Sequence, residues 1–259
     1  MSNPSVFTSV INSYLGEPQA SLLNGIIFGV PLKTSKIFYE HLKMVGLLHI
    51  VVLSGMNITL LAAIIANLTK FLSKRASILI TILTIILFII FVGPQAPVVR
   101  AGFMGIITLI AVLTGRKNYA LYSLFLSAIF VAIFWPKWLT SVSLWLSYGA
   151  TLGIILFGQT SSKNELWREI KTSLAAQIFT VPIIFFYFKQ ISFIAPLSNI
   201  LVAELIAPLT VFGFLTAILG KINFYLGLIP AYICYGMLTY IVWVVEILSK
   251  LPFGFIQFK

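Results

Sequence analysis

Residues Ala76–Val92 read ASILITILTIILFIIFV, seventeen residues with three hydroxyls and no charge. A run of this kind is close to the roughly 20 apolar residues that a helix needs to cross a bilayer core. Working outward, similar runs occupy Gly46–Leu68, Val98–Thr114, Tyr119–Trp135, Leu139–Phe157, Leu174–Phe188 and Phe224–Leu248. An eighth region, Ile191–Gly220, is apolar for too long to be one ordinary span, and Pro196 and Pro208 interrupt it. Those prolines predict a Pro-broken segment, a short in-plane or re-entrant piece followed by a crossing. The expected fold is all-α: a polytopic helical membrane protein with about eight transmembrane helices.

Composition agrees with that reading. Of 259 residues, 60% are hydrophobic and 9% are charged, whereas a soluble domain carries about 25% charged residues. Most soluble enzyme classes are excluded at once. The six acids are all glutamate, and with His41, His49 and Cys234 they are too few and too scattered for a binuclear metal centre or an aspartate-based phosphoryl-transfer site. No metal, no cofactor and no catalytic residue is therefore expected. One cysteine makes no intrachain disulfide. Met1–Gly16 has no basic segment followed by an apolar run, so the first long apolar run is expected to act as an internal signal anchor.

Residues 1–45 read differently from 46–259, which form the expected transmembrane bundle. Leu22, Leu23, Ile26, Ile27 and Val30 recur at helical spacing, with Ser21 and Asn24 off that face. After Pro31, Thr34 is placed to cap a second helix carrying Ile37, Phe38, Leu42 and Val45. Short amphipathic helices of this kind lie in the membrane interface, as a packing collar or as a gating or docking element. With eight crossings, the odd-numbered loops carry Lys70, Lys74, Arg75, Arg116, Lys117, Lys163, Arg168, Lys171 and Lys221. The even-numbered loops carry only Lys137 and Lys189. The positive-inside rule then puts the basic loops in the cytoplasm and both termini outside, although Lys33, Lys36 and Lys43 pull the other way.

Polar groups inside spans are costly and mark function by default. The first span carries His49, Ser54, Gly55, Asn57 and Thr59. Ser54 and Asn57 share a helical face, while a regular helix at about 100° per residue sets His49 about 140° from Ser54. A helix loosened at Ser54-Gly55 would bring all three to one cavity, as in the broken helices of transporters. The competing reading is that Ser-Gly permits close helix packing and His49 bonds a neighbouring carbonyl. Arg100 lies a turn inside another span and must snorkel, pair with an acid or meet an anion. Glu204 is the one acid at comparable depth, so the choice is an Arg100–Glu204 ion pair or an anion contact, and the anion contact is preferred. The stripe Ser141, Ser143, Ser147, Tyr148, Gly149 and Thr151 suits either a path lining or tight packing. Asn199 and Glu204 complete the candidate pathway residues, and Trp135 and Trp138 read as an interfacial aromatic belt.

Four features in register carry a family resemblance: His49…Ser54-Gly55, Arg100-Ala101…Met104, Arg116, and Leu146 to Ala150. Their order and spacing resemble the membrane domain of the ComEC competence proteins, whose pattern is similar to HLLAISGxH, then RAxxM, then LSFxA. Leu251 to Gly254 also resembles the family's Leu-Pro-Gly-type exit from its last span, and the likeness covers roughly residues 18–257. The resemblance implies an inner-membrane channel for DNA uptake in natural transformation, through which one strand passes while the other is degraded. It implies single-stranded DNA as partner, with a DNA receptor, a separate nuclease and a cytoplasmic helicase-like ATPase acting alongside. The basic loop residues Arg116 and Lys117 would then meet phosphates of the emerging strand, or serve only to set topology. A single strand wants a positive path with aromatic rings for its bases, which the net charge of +11 and 22 Phe accommodate.

Two departures stand out. Asn57 occupies the place of a family histidine, and asparagine hydrogen-bonds but does not titrate near neutrality. The family's OB-type and metallo-β-lactamase-like modules do not fit within 259 residues, so strand degradation is expected from another polypeptide. The competing function is secondary transport of a small anion through the same broken helix and Arg100. An intramembrane hydrolase with Ser54 as nucleophile fits poorly, since Val52 stands where a rhomboid-like motif needs glycine. A non-transporting scaffold is the remaining reading. No Gly-x-x-x-x-Gly-Lys-Ser/Thr phosphate loop is present, so any motor is another chain.

Overall fold

Helix boundaries follow local chemistry. In the computed structural model, which describes residues 4–48, 55–158, 164–192, 194–251 and 255–257, Ser73 accepts a hydrogen bond from the Ala76 amide at 3.3 Å and so caps α5 (Lys74–Val92). Gly93, at φ +94°, follows its last turn. α6 (Ala96–Thr114) carries Pro97 in its first turn, where a missing N–H costs nothing, and stops at the left-handed Gly115. The described chain is helical apart from one short antiparallel ribbon, β1 (Gln190–Ser192) with β2 (Phe255–Gln257), so the fold class is all-α. The other helices are α1 (Ser5–Tyr14), α2 (Gln19–Phe28), α3 (Lys36–Val45), α4 (Gly55–Leu68), α7 (Ala120–Phe134), α8 (Val142–Phe157), α9 (Glu165–Phe188), α10 (Ala195–Ile222) and α11 (Phe224–Leu248), with a 3-10 turn at Pro136–Thr140 between α7 and α8.

Five helices, α5, α6, α9, α10 and α11, are long and apolar enough to cross a membrane, and the chain is a multi-pass membrane protein. Helices α4, α7 and α8 are apolar but shorter, at 14 to 16 residues. Sixteen residues reach about 24 Å, short of a core about 30 Å thick. By length α7 and α8 are shorter than a full span, while α4 begins where the described residues resume at Gly55, so its 14 residues are those of the described part.

The expected break in 191–220 is absent: α10 runs unbroken for 28 residues. Pro196 falls in its first turn and is no obstacle there. Pro208 lies inside, where its ring removes one backbone bond, the one to the Glu204 carbonyl, without stopping the helix.

The chain divides into two compact units, residues 1–54 with 190–259, and residues 55–189. In the first, α10 and α11 form an antiparallel pair joined at Asn223, whose side chain accepts from the Tyr225 amide at 2.8 Å. α2 is buried along nine of its ten residues, so protein rather than an interface surrounds it. Gly213 of α10 makes room for Leu23 and Ile27 of α2. Ser21 donates to the Lys33 carbonyl at 2.9 Å, and Asn24 to Asn12 at 2.8 Å, which explains polar residues in a buried helix. The cap of α3 is Ser35, not Thr34, accepting from Phe38. Ser192 and Ser198 donate to the Met44 and Val45 carbonyls, tying the end of α3 to the start of α10.

In the second unit α4, α5 and α6 pack together, α6 packs on α7, and α8 on α9. Gly153 of α8 meets the Ala175 backbone directly, leaving no space for a Cβ. Ala96, Val131 and Leu144 form a buried cluster against which Trp138 and Tyr148 pack.

Candidate functional site

Arg100 sits in the second turn of α6, which Gln95 and Pro97 start, so its side chain leaves the helix inside the bundle rather than at its rim. It is 8% exposed. Burying a guanidinium requires its donors to be met. Nε donates to the Ser147 hydroxyl at 2.9 Å, and Nη1 donates to the Thr151 hydroxyl at 2.7 Å and lies 3.5 Å from the Met104 sulfur. The plane is 5.8 Å from the centre of the Tyr148 ring, within range of a cation–π contact. Ser147, Tyr148 and Thr151 lie within one turn of α8 and present a single face. Three members of the small-polar stripe thus form a pocket for Arg100, while Ser141 caps α8 and Gly149 faces Phe179 and Ile183 of α9.

Every one of these partners is neutral. Among the described residues no carboxylate pairs with Arg100, and the Lys43–Glu40 ion pair lies on α3. A guanidinium has five donors. Those on Nη2 have no partner among the described residues. Nη2 faces α4: a Cβ built on Gly55 would lie 3.3 Å from it and 2.8 Å from the Ala101 Cβ. Glycine at 55 is what lets α4 approach α6 and keeps the end of the guanidinium clear. Asn57, two residues on, is 4% exposed. Chemically, this is a positive charge in a low-dielectric setting, held by dipoles and offering two donors, which is a host for an anionic oxygen.

A second set of polar groups supports the pocket. The Tyr148 hydroxyl lies 2.9 Å from that of Ser127 on α7, and Ser127 donates to the Leu124 carbonyl. Ser123 donates to Asn118, which donates to Thr108 of α6. These residues escaped the sequence reading; the signal was the four-residue spacing of Ser123 and Ser127 on one face of α7.

The described candidate residues divide between the two units. Gly55, Asn57, Arg100 and Ser147 belong to the second unit. His49 and Ser54 lie outside the described residues. Arg116 and Lys117 are exposed just beyond the end of α6. Asn199 and Glu204 are on α10 in the first unit. Glu204 is exposed and lines a groove of about 410 Å³ with Leu201, Leu205, Gly236, Met237 and Tyr240. The Asn199 side-chain oxygen, Oδ1, has no partner among the described residues. Among the described residues no cluster of His, Cys, Asp or Glu is arranged to hold a metal.

Comparison with known proteins places the chain. A family model described as "Competence protein" matches residues 26–259. An uncharacterized protein of Aquifex aeolicus (strain VF5) is 28% identical over 180 residues, covering 70% of this chain and 41% of the relative. ComE operon protein 3 of Bacillus subtilis (strain 168) is 24% identical over 207 residues, covering 74% of this chain and 25% of the relative. The chain thus matches less than half the length of either. No solved structure matches.

Proposed function

The chain belongs to the Competence protein family, and on that premise we propose that it is a membrane conduit for single-stranded DNA in natural transformation. The observation that carries the reading is Arg100: a buried cation among neutral partners, with Nη2 donors left for a phosphate oxygen. A phosphate strand supplies the negative charge that the few acids of the chain do not. The conduit is not an enzyme: strand degradation and ATP-driven pulling fall to other polypeptides, with a DNA receptor upstream. It lies in the bacterial inner membrane with its termini outside, so that Arg116 and Lys117 face the cytoplasm and the emerging strand.

The test is uptake of labelled DNA by a transformable host. Deleting the gene should leave surface-bound DNA unchanged and abolish the nuclease-resistant cytoplasmic strand. Normal internalisation in the deletion strain overturns the reading.

The same pocket supports a second reading, transport of a small anion, because one guanidinium with two free donors suits a single carboxylate or phosphate as well. Flux of such an anion into proteoliposomes, inhibited by its analogues and unaffected by oligonucleotides, would favour that reading over the first.

A further inference from the structure

The loop between α7 and α8 carries an aromatic arrangement that the Arg100 pocket does not use. The indoles of Trp135 and Trp138 stack with their centres 4.9 Å apart and their planes within 5° of parallel. Both are half-buried, and Lys137 between them is exposed. Neither indole N–H has a hydrogen-bond partner among the described residues. Behind the pair, Phe130 lies 5.9 Å from Trp135 and stacks on Phe103 at 4.4 Å, so the rings continue into the bundle.

The stack shares a packing cluster with the Arg100 site. Trp138 packs on the cluster of Ala96, Val131 and Leu144, as does Tyr148, the ring under the guanidinium. Ala96 opens α6, and Arg100 is four residues further along, one turn or about 6 Å deeper. The parallel ring pair has an exposed lysine between its members in the sequence, and Arg100 is one turn along α6 from a residue that Trp138 packs on. Rings for stacking and cations for phosphate are thus offered at the same end of the helices. Lone anchors at a lipid interface need neither the stacking nor the alignment.

We infer that the Trp135–Trp138 stack, with Lys137, is a docking platform for an unpaired nucleotide of a single-stranded nucleic acid, whose base extends the stack while its phosphate meets Lys137. Every base has a π face, so the site is indifferent to sequence and closed to paired duplex. The inference rests on the DNA reading above and adds to it where the strand first touches the protein.

The experiment uses the full chain in lipid nanodiscs and a fluorescein-labelled 12-residue oligothymidylate, read by anisotropy. Wild type should bind the strand and resist competition by duplex. The double variant Trp135→Leu, Trp138→Leu should bind about tenfold more weakly or worse, and Trp135→Phe, Trp138→Phe within about threefold of wild type. An oligonucleotide carrying 5-bromouracil, photocrosslinked to wild type and mapped by mass spectrometry, needs no variant to fold; crosslinks should fall on Trp135 or Trp138. Unchanged affinity in the leucine variant, or crosslinks confined to other segments while wild type binds, overturns the platform and leaves the conduit reading intact. Failure of wild type to bind any single strand overturns both.

Discussion

The guanidinium of Arg100 donates to Ser147 and Thr151 and lies over the Tyr148 ring, so its charge is held by dipoles from one turn of α8. Removing an acceptor leaves a buried charged donor unmet. Ser147→Ala should therefore cost about 2 kcal/mol, and Thr151→Val a similar amount, as lowered thermal stability in detergent. Gly55→Ala is the harsher change, because the new methyl meets the Ala101 Cβ at 2.8 Å and neither atom sits on a flexible side chain. A loss of about 1–3 kcal/mol is expected on the same assay. At this scale the sequence showed that Arg100 was misplaced for an ordinary span and that Ser147 to Thr151 formed a stripe. It did not show that the two meet, because a stripe suited to packing and one suited to solvating a cation have the same composition. The Ser127–Tyr148 support was hidden for the same reason: a serine in an apolar helix has a local carbonyl as its default partner.

Helices were legible where apolar length alone decides them. α5, α6 and α11 lie where runs of apolar residues end in Gly93, Gly115 and Ser249. The prolines of α10 misled, since proline breaks helices in water, where solvent takes up every backbone group that a break exposes. Inside a packed bundle the helix continues. Likewise α2 reads as amphipathic, yet it is buried nearly all round because α10 and α11, far along the chain, enclose it. Packing between elements depends on a few glycines. Gly153→Ala forces a methyl into the Ala175 carbonyl, and backbone does not yield as a side-chain tip would. We expect α8 and α9 to separate, with a loss of about 3 kcal/mol or failure to accumulate in the membrane, measured by unfolding or by yield of folded protein. Gly236→Ala, inside α11 with its added methyl meeting nothing within 4 Å, is the matched control and should keep stability or raise it by up to about 1 kcal/mol.

Across the whole molecule, the family likeness was readable because two of its motifs, Arg100 to Met104 and Leu146 to Ala150, sit on α6 and α8, where packing and charge both constrain them. The division into units was not, because residues 1–54 join 190–259 across the intervening 135 residues, and no local pattern reports such a closure. Loop charge predicts an orientation, and labelling tests it. A single cysteine at Lys137, in a Cys234→Ser background, should react with a membrane-impermeant maleimide in intact cells. One at Lys117 should react only after permeabilisation. The reverse pattern would invert the topology and put the Trp135–Trp138 stack on the cytoplasmic side. Most direct of all is the amount of cytoplasmic single-stranded DNA recovered from a deletion strain complemented with wild type, Arg100→Lys or Arg100→Ala at matched protein levels. If Arg100 holds the strand's phosphates, the alanine variant should bind DNA at the cell surface normally but internalise it at least about tenfold less, the scale of one lost charged hydrogen bond. Lysine should fall between, keeping the charge without the fork. Internalisation at the wild-type level by Arg100→Ala would contradict the account.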